Sequence, residues 1–520
     1  MELLSNEFSA VPGDSAALLS AVPVETRSRI VSGMRWTVWL SFLAAPFSYG
    51  TSVLLARAGP EVIGTFGILS VYLAFGTAFL YLGGDTVTIK FIPEIAPRDR
   101  FSYLWSYFLL ICLTAVPWLA AAGIWSGNLR FLFGRQTSPS SQLFLLCLSP
   151  IAILLSLVVA ALKGNLEIRS AQLTARIVTF GFFICSAIFY FGWRSELTKH
   201  SVAVIWSAYL GLALLSALIG IFRLSRLPAW RPGMHHLRLH FPRGFWRYLF
   251  ATQQVGLLSF FVNRLDYVLI LNCAGLSLLG RYVAVITLTS LIPGVGAFFL
   301  DPILPSLTNL MADHNFPAAA QVFALQVRIL FLVNAAITIG LILFAGPLTT
   351  LLGSQYAQLG PALILCALFV GLAAPGAVGA LLLSSVAKQQ RAVWLGLAQI
   401  ALYVLLFSML WRRFSLLGAV TAYGLALLAA NASLFLAGKR SVPFEISVHR
   451  QYAAFASLAL AASFLRLFRP SHDVAAALAC WCVAMSVFLL LAGHGFSECV
   501  ALLRYFVPRP ADSSFNAHPI

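Results

Sequence analysis

The chain has 520 residues, of which 60% are hydrophobic and only 10% charged, against roughly 25% charged in an ordinary soluble domain. So few charges cannot cover the surface of a soluble protein this apolar, which excludes a soluble enzyme and makes the bilayer the solvent. The net charge of +17 would suggest nucleic acid in a soluble chain. Here the basic residues fall mostly in loops between apolar spans, where they set orientation, and no nucleic-acid partner is expected.

Residues 1–33 carry Glu2, Glu7, Asp14 and Glu25 and lack a basic start followed by an apolar stretch, so they read as a cytoplasmic tail rather than a secretory signal. Apolar runs long enough to span a bilayer then recur about fourteen times. They cover roughly 36–56, 62–84, 101–123, 143–162, 171–192, 201–222, 248–272, 282–304, 328–346, 361–386, 392–411, 414–437, 451–468 and 474–493. The expected fold is an all-α polytopic membrane protein with two parallel six-helix repeats and a two-helix C-terminal extension. An even number of spans puts both termini on one side. Placing them in the cytoplasm assigns 23 of the 34 basic residues to that side and 10 to the other, with Arg264 inside a span, as the positive-inside rule requires.

The longest polar break, 223–247, holds six arginines with His235, His236 and His240. It reads as a cytoplasmic linker resting on anionic headgroups. It divides a first six-helix lobe, 34–222, from a second, 248–440; two further helices occupy 441–495, and 496–520 form a cytoplasmic tail. The eight cysteines lie almost all within apolar runs, with no CxxC pair, so neither disulfides nor metal ligands are indicated.

The two halves resemble each other. Ala58-Gly59-Pro60-Glu61-Val62-Ile63-Gly64-Thr65-Phe66 matches Ala274-Gly275-Leu276-Ser277-Leu278-Leu279-Gly280-Arg281-Tyr282 at an offset of 216, and Asp85 meets Asp301 at the same offset. Leu132-Phe133-Gly134 lies opposite Leu351-Leu352-Gly353 at an offset of 219. With six helices in each half, the second enters the membrane in the orientation of the first, which implies parallel repeats about an axis along the membrane normal. Two such lobes can rock about a central cavity.

Ionisable groups within spans cost about 2.5–3.5 kcal/mol on insertion scales and usually face a bundle interior. The cavity candidates are Arg57, Arg264, Asp266, Arg169 and Arg176; the gating candidates are Asp85, Lys90 and Asp301. Arg264 and Asp266, two apart, cannot share a helix face, so at least one should reach another helix or the cavity, with Arg264 the favoured one. Arg264 snorkelling to the outer interface is the alternative. Asp85 and Asp301 read also as solvated or capping residues at helix ends, and Lys90, five residues beyond Asp85, suits a local ion pair with it as well as a gate. Arg169 and Arg176, seven apart, share a face and either line the inner mouth or snorkel. Pro46, Pro117, Pro150, Pro293 and Pro375 interrupt spans and predict kinks. No GxxxxGK[ST], HExxH or GxSxG occurs, so neither catalysis nor a cofactor is expected.

The run Leu54-Leu55-Ala56-Arg57-Ala58-Gly59-Pro60-Glu61-Val62-Ile63-Gly64-Thr65-Phe66, followed by Gly83-Gly84-Asp85 and Lys90-Phe91-Ile92-Pro93-Glu94, resembles the opening of polysaccharide transporters. These belong to the O-antigen flippase family of the multidrug/oligosaccharidyl-lipid/polysaccharide (MOP) exporter superfamily. Arg264-Leu265-Asp266, Gly280-Arg281-Tyr282, Pro305-Ser306-Leu307 and Leu351-Leu352-Gly353 with Tyr356 are similar to its second half. The resemblance covers about residues 34–440. It implies two six-helix lobes around a V-shaped cavity and flipping of undecaprenyl-pyrophosphate-linked oligosaccharide across a bacterial inner membrane by alternating access, for surface polysaccharide or lipopolysaccharide biosynthesis. By position it places Arg57 and Lys90 in the first-lobe pattern and Arg264 with Asp266 in the second. No long cationic stripe appears within the spans, unlike the family's basic cavities. Implied partners are lipid-linked oligosaccharide, membrane lipids, a polysaccharide polymerase and chain-length proteins, with H+ or Na+ as coupling ion. Two alternatives stand beside it: a cation-coupled antiporter of drugs or small amphiphiles on the same scaffold, and a non-transporting membrane component of glycan assembly.

Overall fold

Hydrocarbon offers the backbone no hydrogen-bond partner, so an apolar chain in lipid must satisfy its own amides and carbonyls, and the helix does so within one segment. The computed structural model describes residues 24–124, 139–227, 239, 241–300, 316–386, 389–443, 448–469 and 472–492, and every regular element among them is helical. In chain order these are α1 (Val24–Ala58), α2 (Pro60–Phe79), α3 (Gly84–Glu94), α4 (Arg100–Ile124), α5 (Pro139–Gly164), α6 (Ile168–Gly192), α7 (Arg194–Lys199), α8 (Ser201–Ser225) and α9 (Phe245–Thr289). There follow α10 (Leu291–Leu300), α11 (Phe316–Leu343), α12 (Ala345–Leu352), α13 (Gly360–Ala373), α14 (Ala377–Ser385), α15 (Gln389–Lys439), α16 (His449–Phe468) and α17 (Val474–Ala492). The tails, most of the basic linker, Asp301 and the Leu132–Gly134 half of the second repeat match lie outside the described residues.

Nine helical stretches among the described residues are long and apolar enough to cross a membrane, ten if the pair Val327–Leu343 and Ala345–Leu352, bent by 68°, is one span. The chain is a multi-pass membrane protein. Two of the nine, Phe245–Gly296 and Gln390–Lys439, have 52 and 50 residues, far more than the roughly 20 that one crossing needs. Each doubles back. Within α9, Tyr282 donates a hydrogen bond to the Asp266 carboxylate at 2.7 Å, although sixteen residues of straight helix would separate them by about 24 Å. The turn falls at Gly275, with φ 79°, a left-handed value that glycine adopts at little cost. In α15 the reversal is at Ser415, φ 48°, and Gly418 lies against the Leu410 carbonyl. The sequence places span boundaries at both points.

Within these helices, hydroxyls that lipid cannot solvate turn back onto their own turn. Thr51 donates to the Phe47 carbonyl, Thr65 to Glu61 and Ser106 to Ser102, the usual i−4 bond of serine and threonine.

By contacts the chain divides into two units. One runs to Leu288 and includes Thr349–Ala362 and Gln390–Ala426; the other comprises Thr289–Leu348, Leu363–Gln389 and the chain from Leu427. These boundaries cut across the two six-helix halves suggested by the sequence.

The first unit contains a helix break absent from the sequence expectation of one span over 62–84. α2 ends at Phe79 and α3 begins at Gly84; Leu82, Gly83 and Gly84 have φ of 41°, 86° and 64°. Three consecutive left-handed residues free backbone groups that must find partners within the protein. The Tyr107 hydroxyl donates to the carbonyls of Tyr81 at 2.9 Å and Leu82 at 2.7 Å. Gln253, on α9, accepts from the Gly83 amide at 2.9 Å and donates to the Ala78 carbonyl at 2.6 Å. Around the break Tyr81, Tyr103, Tyr107 and Phe245 are all buried, with the Tyr103 and Tyr107 rings stacked at 6.2 Å and Phe245 edge-on to Tyr107 at 5.8 Å. Tyr107→Phe keeps the ring contacts but leaves both carbonyls without that donor. It should cost about 1–3 kcal/mol, read as a lower denaturation midpoint of the purified protein in detergent.

Candidate functional site

In the first unit the two copies of the sequence repeat pack on each other. A Cβ built on Gly64 would collide with the Leu276 carbonyl, and one built on Gly280 would collide with the Pro60 carbonyl. The offset of 216 carries Gly64 onto Gly280 and Pro60 onto Leu276, so the two contacts are one contact made twice, the reciprocity of a two-fold interface. Gly67 faces its own counterpart Val283 across the same seam. Only glycine leaves room for α2 and the second arm of α9 to approach so closely, which gives the repeated glycine a physical reason.

Arg57 stands beside this seam, at the end of α1. It is exposed, and its Nε donates to the Leu351 carbonyl at 2.8 Å, in the last turn of α12, where a cation complements the helix C-terminus. Gln355 donates to the Ala56 carbonyl at 2.9 Å, and Arg194 to the Arg57 carbonyl at 2.8 Å. Arg57 thus binds backbone at the rim of the seam.

At the other end of α2 the partners are again on α9. Lys90 places its ammonium 4.1 Å from the centroid of the Tyr248 ring and 5.2 Å from that of Phe91, a cation–π arrangement. Asp85 lies in the first turn of α3, where the helix dipole favours a carboxylate. It interacts electrostatically with Lys163 and Tyr81, so its cationic neighbour comes from α5. Gln253 completes this second seam. It lies about 21 Å along α2 from the glycine contact, fourteen residues at 1.5 Å each.

Arg169 and Arg176 share one face of α6, as their spacing requires, and that face lies against α1. The Arg169 guanidinium sits 4.4 Å from the Trp36 ring centroid, and Arg176 donates to the Ser41 hydroxyl at 2.9 Å. Phe47 packs edge-on against Phe180 and Phe183 further along the same pair of helices.

Asp266 is the one buried carboxylate among the described residues, 4% exposed. Besides the bond from Tyr282, one of its oxygens accepts from the Tyr267 amide at 2.9 Å. Arg264 is half-buried, with its guanidinium 5.2 Å from the Tyr267 ring centroid. Gln399, Tyr403 and Tyr423, all on α15, join Asp266 around a cavity of about 10 Å³, close to the space that one water needs. The Tyr403 hydroxyl is buried without a hydrogen-bond partner among the described residues. A carboxylate, hydroxyls and an amide meeting inside a span form a polar cluster that can hold a proton or a small cation. Tyr282 stands in the sequence repeat but is not tied there to Asp266, which it meets through the reversal at Gly275; Gln399, Tyr403 and Tyr423 were not singled out from sequence, because only tertiary packing brings α15 to Asp266. The repeated Gly280, by contrast, is visible in the sequence.

Comparison with solved structures gives the fold a precedent. The chain is similar to the lipid II flippase MurJ in an inward closed conformation, with a TM-score of 0.70 and 13% identity over 89% of this chain and 99% of that one. It is similar to a multidrug resistance MATE family transporter of the MOP superfamily, inward-facing, with a TM-score of 0.63 and 13% identity over 82% and 99%. A MOP superfamily transporter from Pyrococcus furiosus, described as having a binding pocket of reverse polarity, gives 0.54 and 16% identity over 83% and 96%. No family model matches the sequence, and no curated protein matches it. The chain shares the fold of these structures and spans nearly their whole length.

If the seam needs glycine, Gly280→Ala should destabilise the protein by about 1–3 kcal/mol, the usual cost of overpacking. Gly211→Ala, where an added Cβ meets nothing within 4 Å, should be neutral or stabilising. Detergent denaturation midpoints of the two variants check this; equal effects would contradict the packing argument.

Proposed function

We propose that the protein is a transporter working by alternating access, and that its substrate is a lipid-linked oligosaccharide of the undecaprenyl-pyrophosphate type, moved from the cytoplasmic to the outer leaflet of a bacterial inner membrane. The observation that carries this reading is the two-fold contact of Gly64 and Gly280. A pair of repeats meeting through reciprocal glycine-to-backbone contacts and apolar side chains can part and re-form without leaving buried polar groups unpaired. With the termini in the cytoplasm, the glycine seam lies at the outer end of α2 and the Gln253 and Lys90 seam nearer the inner side. Closure at both in the first unit corresponds to an occluded stage of such a cycle.

Moving a polar headgroup through hydrocarbon is opposed by the cost of exposing charge, and cationic side chains lower that barrier for pyrophosphate. Arg264, Arg169 and Arg176 are the intramembrane candidates, with Arg57, Asp85, Lys90 and Asp301 at the ends of the pathway. The sequence resemblance favours lipid-linked sugar, and the similarity to MurJ agrees with it. A polymerase and chain-length proteins would act on the product on the outer side.

The Asp266 cluster favours one further element, coupling to H+ or Na+, which an antiporter of small amphiphiles on this scaffold would share. Two measurements on purified protein in proteoliposomes separate these readings. Fluorescent lipid-linked oligosaccharide should cross to the opposite leaflet, while a cationic dye should not be exchanged; dye exchange without lipid flipping would establish the antiporter instead. An asparagine at 266 keeps the shape and a hydrogen bond to Tyr282, so Asp266→Asn should fold normally yet lose the acceleration by an imposed ion gradient. Gradient dependence unchanged in that variant would remove Asp266 from coupling.

A further inference from the structure

The second unit holds a groove that none of the transport argument uses. Its origin is local. Pro375 ends α13, and a single 3-10 turn, Ala374–Gly376, precedes α14. Gly376 and Gly379 let the final turns of α15 pack directly against α14, with the Asn431 and Leu434 carbonyls where side chains would otherwise stand. The bend at Pro375 opens a hollow of about 380 Å³ beside that contact, with Phe331, Leu372, Pro375, Leu428, Phe435 and Tyr452 in its wall. This is within the range of small-molecule sites. Tyr452 spans the bend, its hydroxyl donating to the Leu372 carbonyl at 3.3 Å.

Three features define what the groove fits. The α15 residues along it run from Leu428 to Lys439, eleven residues or about 16 Å of helix, which is the depth of one leaflet of a bilayer whose hydrocarbon core is about 30 Å thick. Its outer wall is open, since Ala432 and Leu436 on the same helix are exposed. Its polarity is one-sided: the body is apolar, no acidic side chain among the described residues lines it, and Lys439 and His449 close one end. Arg440, exposed, adjoins that end, while neighbouring Arg450 is fixed by a 2.8 Å bond from its Nε to the Leu491 carbonyl. An apolar slot one leaflet deep with cations where the helix leaves the membrane matches a single acyl chain below an anionic headgroup.

We propose that this groove is a binding site for an anionic phospholipid of the cytoplasmic leaflet, with one acyl chain between α13–α14 and the end of α15 and the phosphate at Lys439 and His449. The site is built entirely within the second unit and does not depend on the substrate of transport. A basic end to a pocket between spans is the arrangement that recognises acidic headgroups.

The test is photolabelling of the full-length protein in phosphatidylcholine nanodiscs with phosphatidylglycerol carrying a diazirine on one acyl chain, followed by peptide mapping. Label should appear on the peptides containing Leu372–Gly376 and Leu428–Leu436, about fivefold above a matched phosphatidylcholine probe, the effect of one lysine near the surface. Lys439→Gln should bring it down to the phosphatidylcholine level. Ala432→Trp, filling the slot from its exposed side, should abolish it while Lys439→Gln retains the denaturation midpoint of the parent. Equal labelling by both probes, or labelling insensitive to both substitutions, would overturn the proposal. So would competition by polyprenyl phosphate but not by unlabelled phosphatidylglycerol, which would make the groove a site for the substrate's tail, or competition by inorganic phosphate alone.

Discussion

The first unit is organised around a contact in which two backbones touch because neither carries a side chain there. Gly64 and Gly280 each abut a carbonyl of the other copy of the repeat, at Leu276 and Pro60. Close approach of this kind gives dispersion contact, the packing that small residues supply in lipid, where no hydrophobic force draws helices together. The surrounding bonds, Arg57 to Leu351 and Gln355 to Ala56, run to backbone carbonyls.

The second constraint is polarity in a solvent that cannot supply hydrogen bonds. At the break between α2 and α3, Tyr107 and Gln253 together meet three carbonyls and one amide. At Asp266, a hydroxyl from the far arm of a hairpin and one amide hold the carboxylate. Both are places where the chain departs from regular apolar helix, and both involve α9, which touches α2 and α3 near each end. The Gln253 bonds, the Asp266 cluster and the Gly280 contact lie along that helix in order.

Much of this was legible in the sequence, for a physical reason: the bilayer demands apolar helices, so composition alone sets the fold class. The hairpin turn at Gly275 falls between two expected spans, that at Ser415 falls at the start of the expected span 414–437, and the glycine at the heart of the seam recurs at the repeat offset. The break at Leu82 was not legible, because Leu80, Tyr81 and Leu82 continue the apolar run and only the Gly83-Gly84 pair interrupts it. Side-chain partners were less legible still. Spacing placed Arg169 and Arg176 on one face but not against Trp36 and Ser41; it separated Arg264 from Asp266 without saying that Asp266 faces Tyr282. Lys90, for which the sequence suggested a local ion pair with Asp85, lies on Tyr248 instead, and the cation acting on Asp85 is Lys163. Partners distant in sequence are set by tertiary packing, on which helical periodicity is silent.

The account stands on the repeat seam closing and parting during transport. A cysteine at Gly67 would place its Cβ 3.6 Å from that of residue 283, within the 3.5–4.5 Å that a disulfide requires. The decisive measurement is therefore lipid-linked oligosaccharide flipping in proteoliposomes by a Gly67→Cys, Val283→Cys protein, before and after reduction. The account predicts a spontaneous cross-link, arrested transport while it is intact, and recovery when it is reduced. Transport at the parental rate with the cross-link fully formed would show that this seam does not open, and would contradict the central claim.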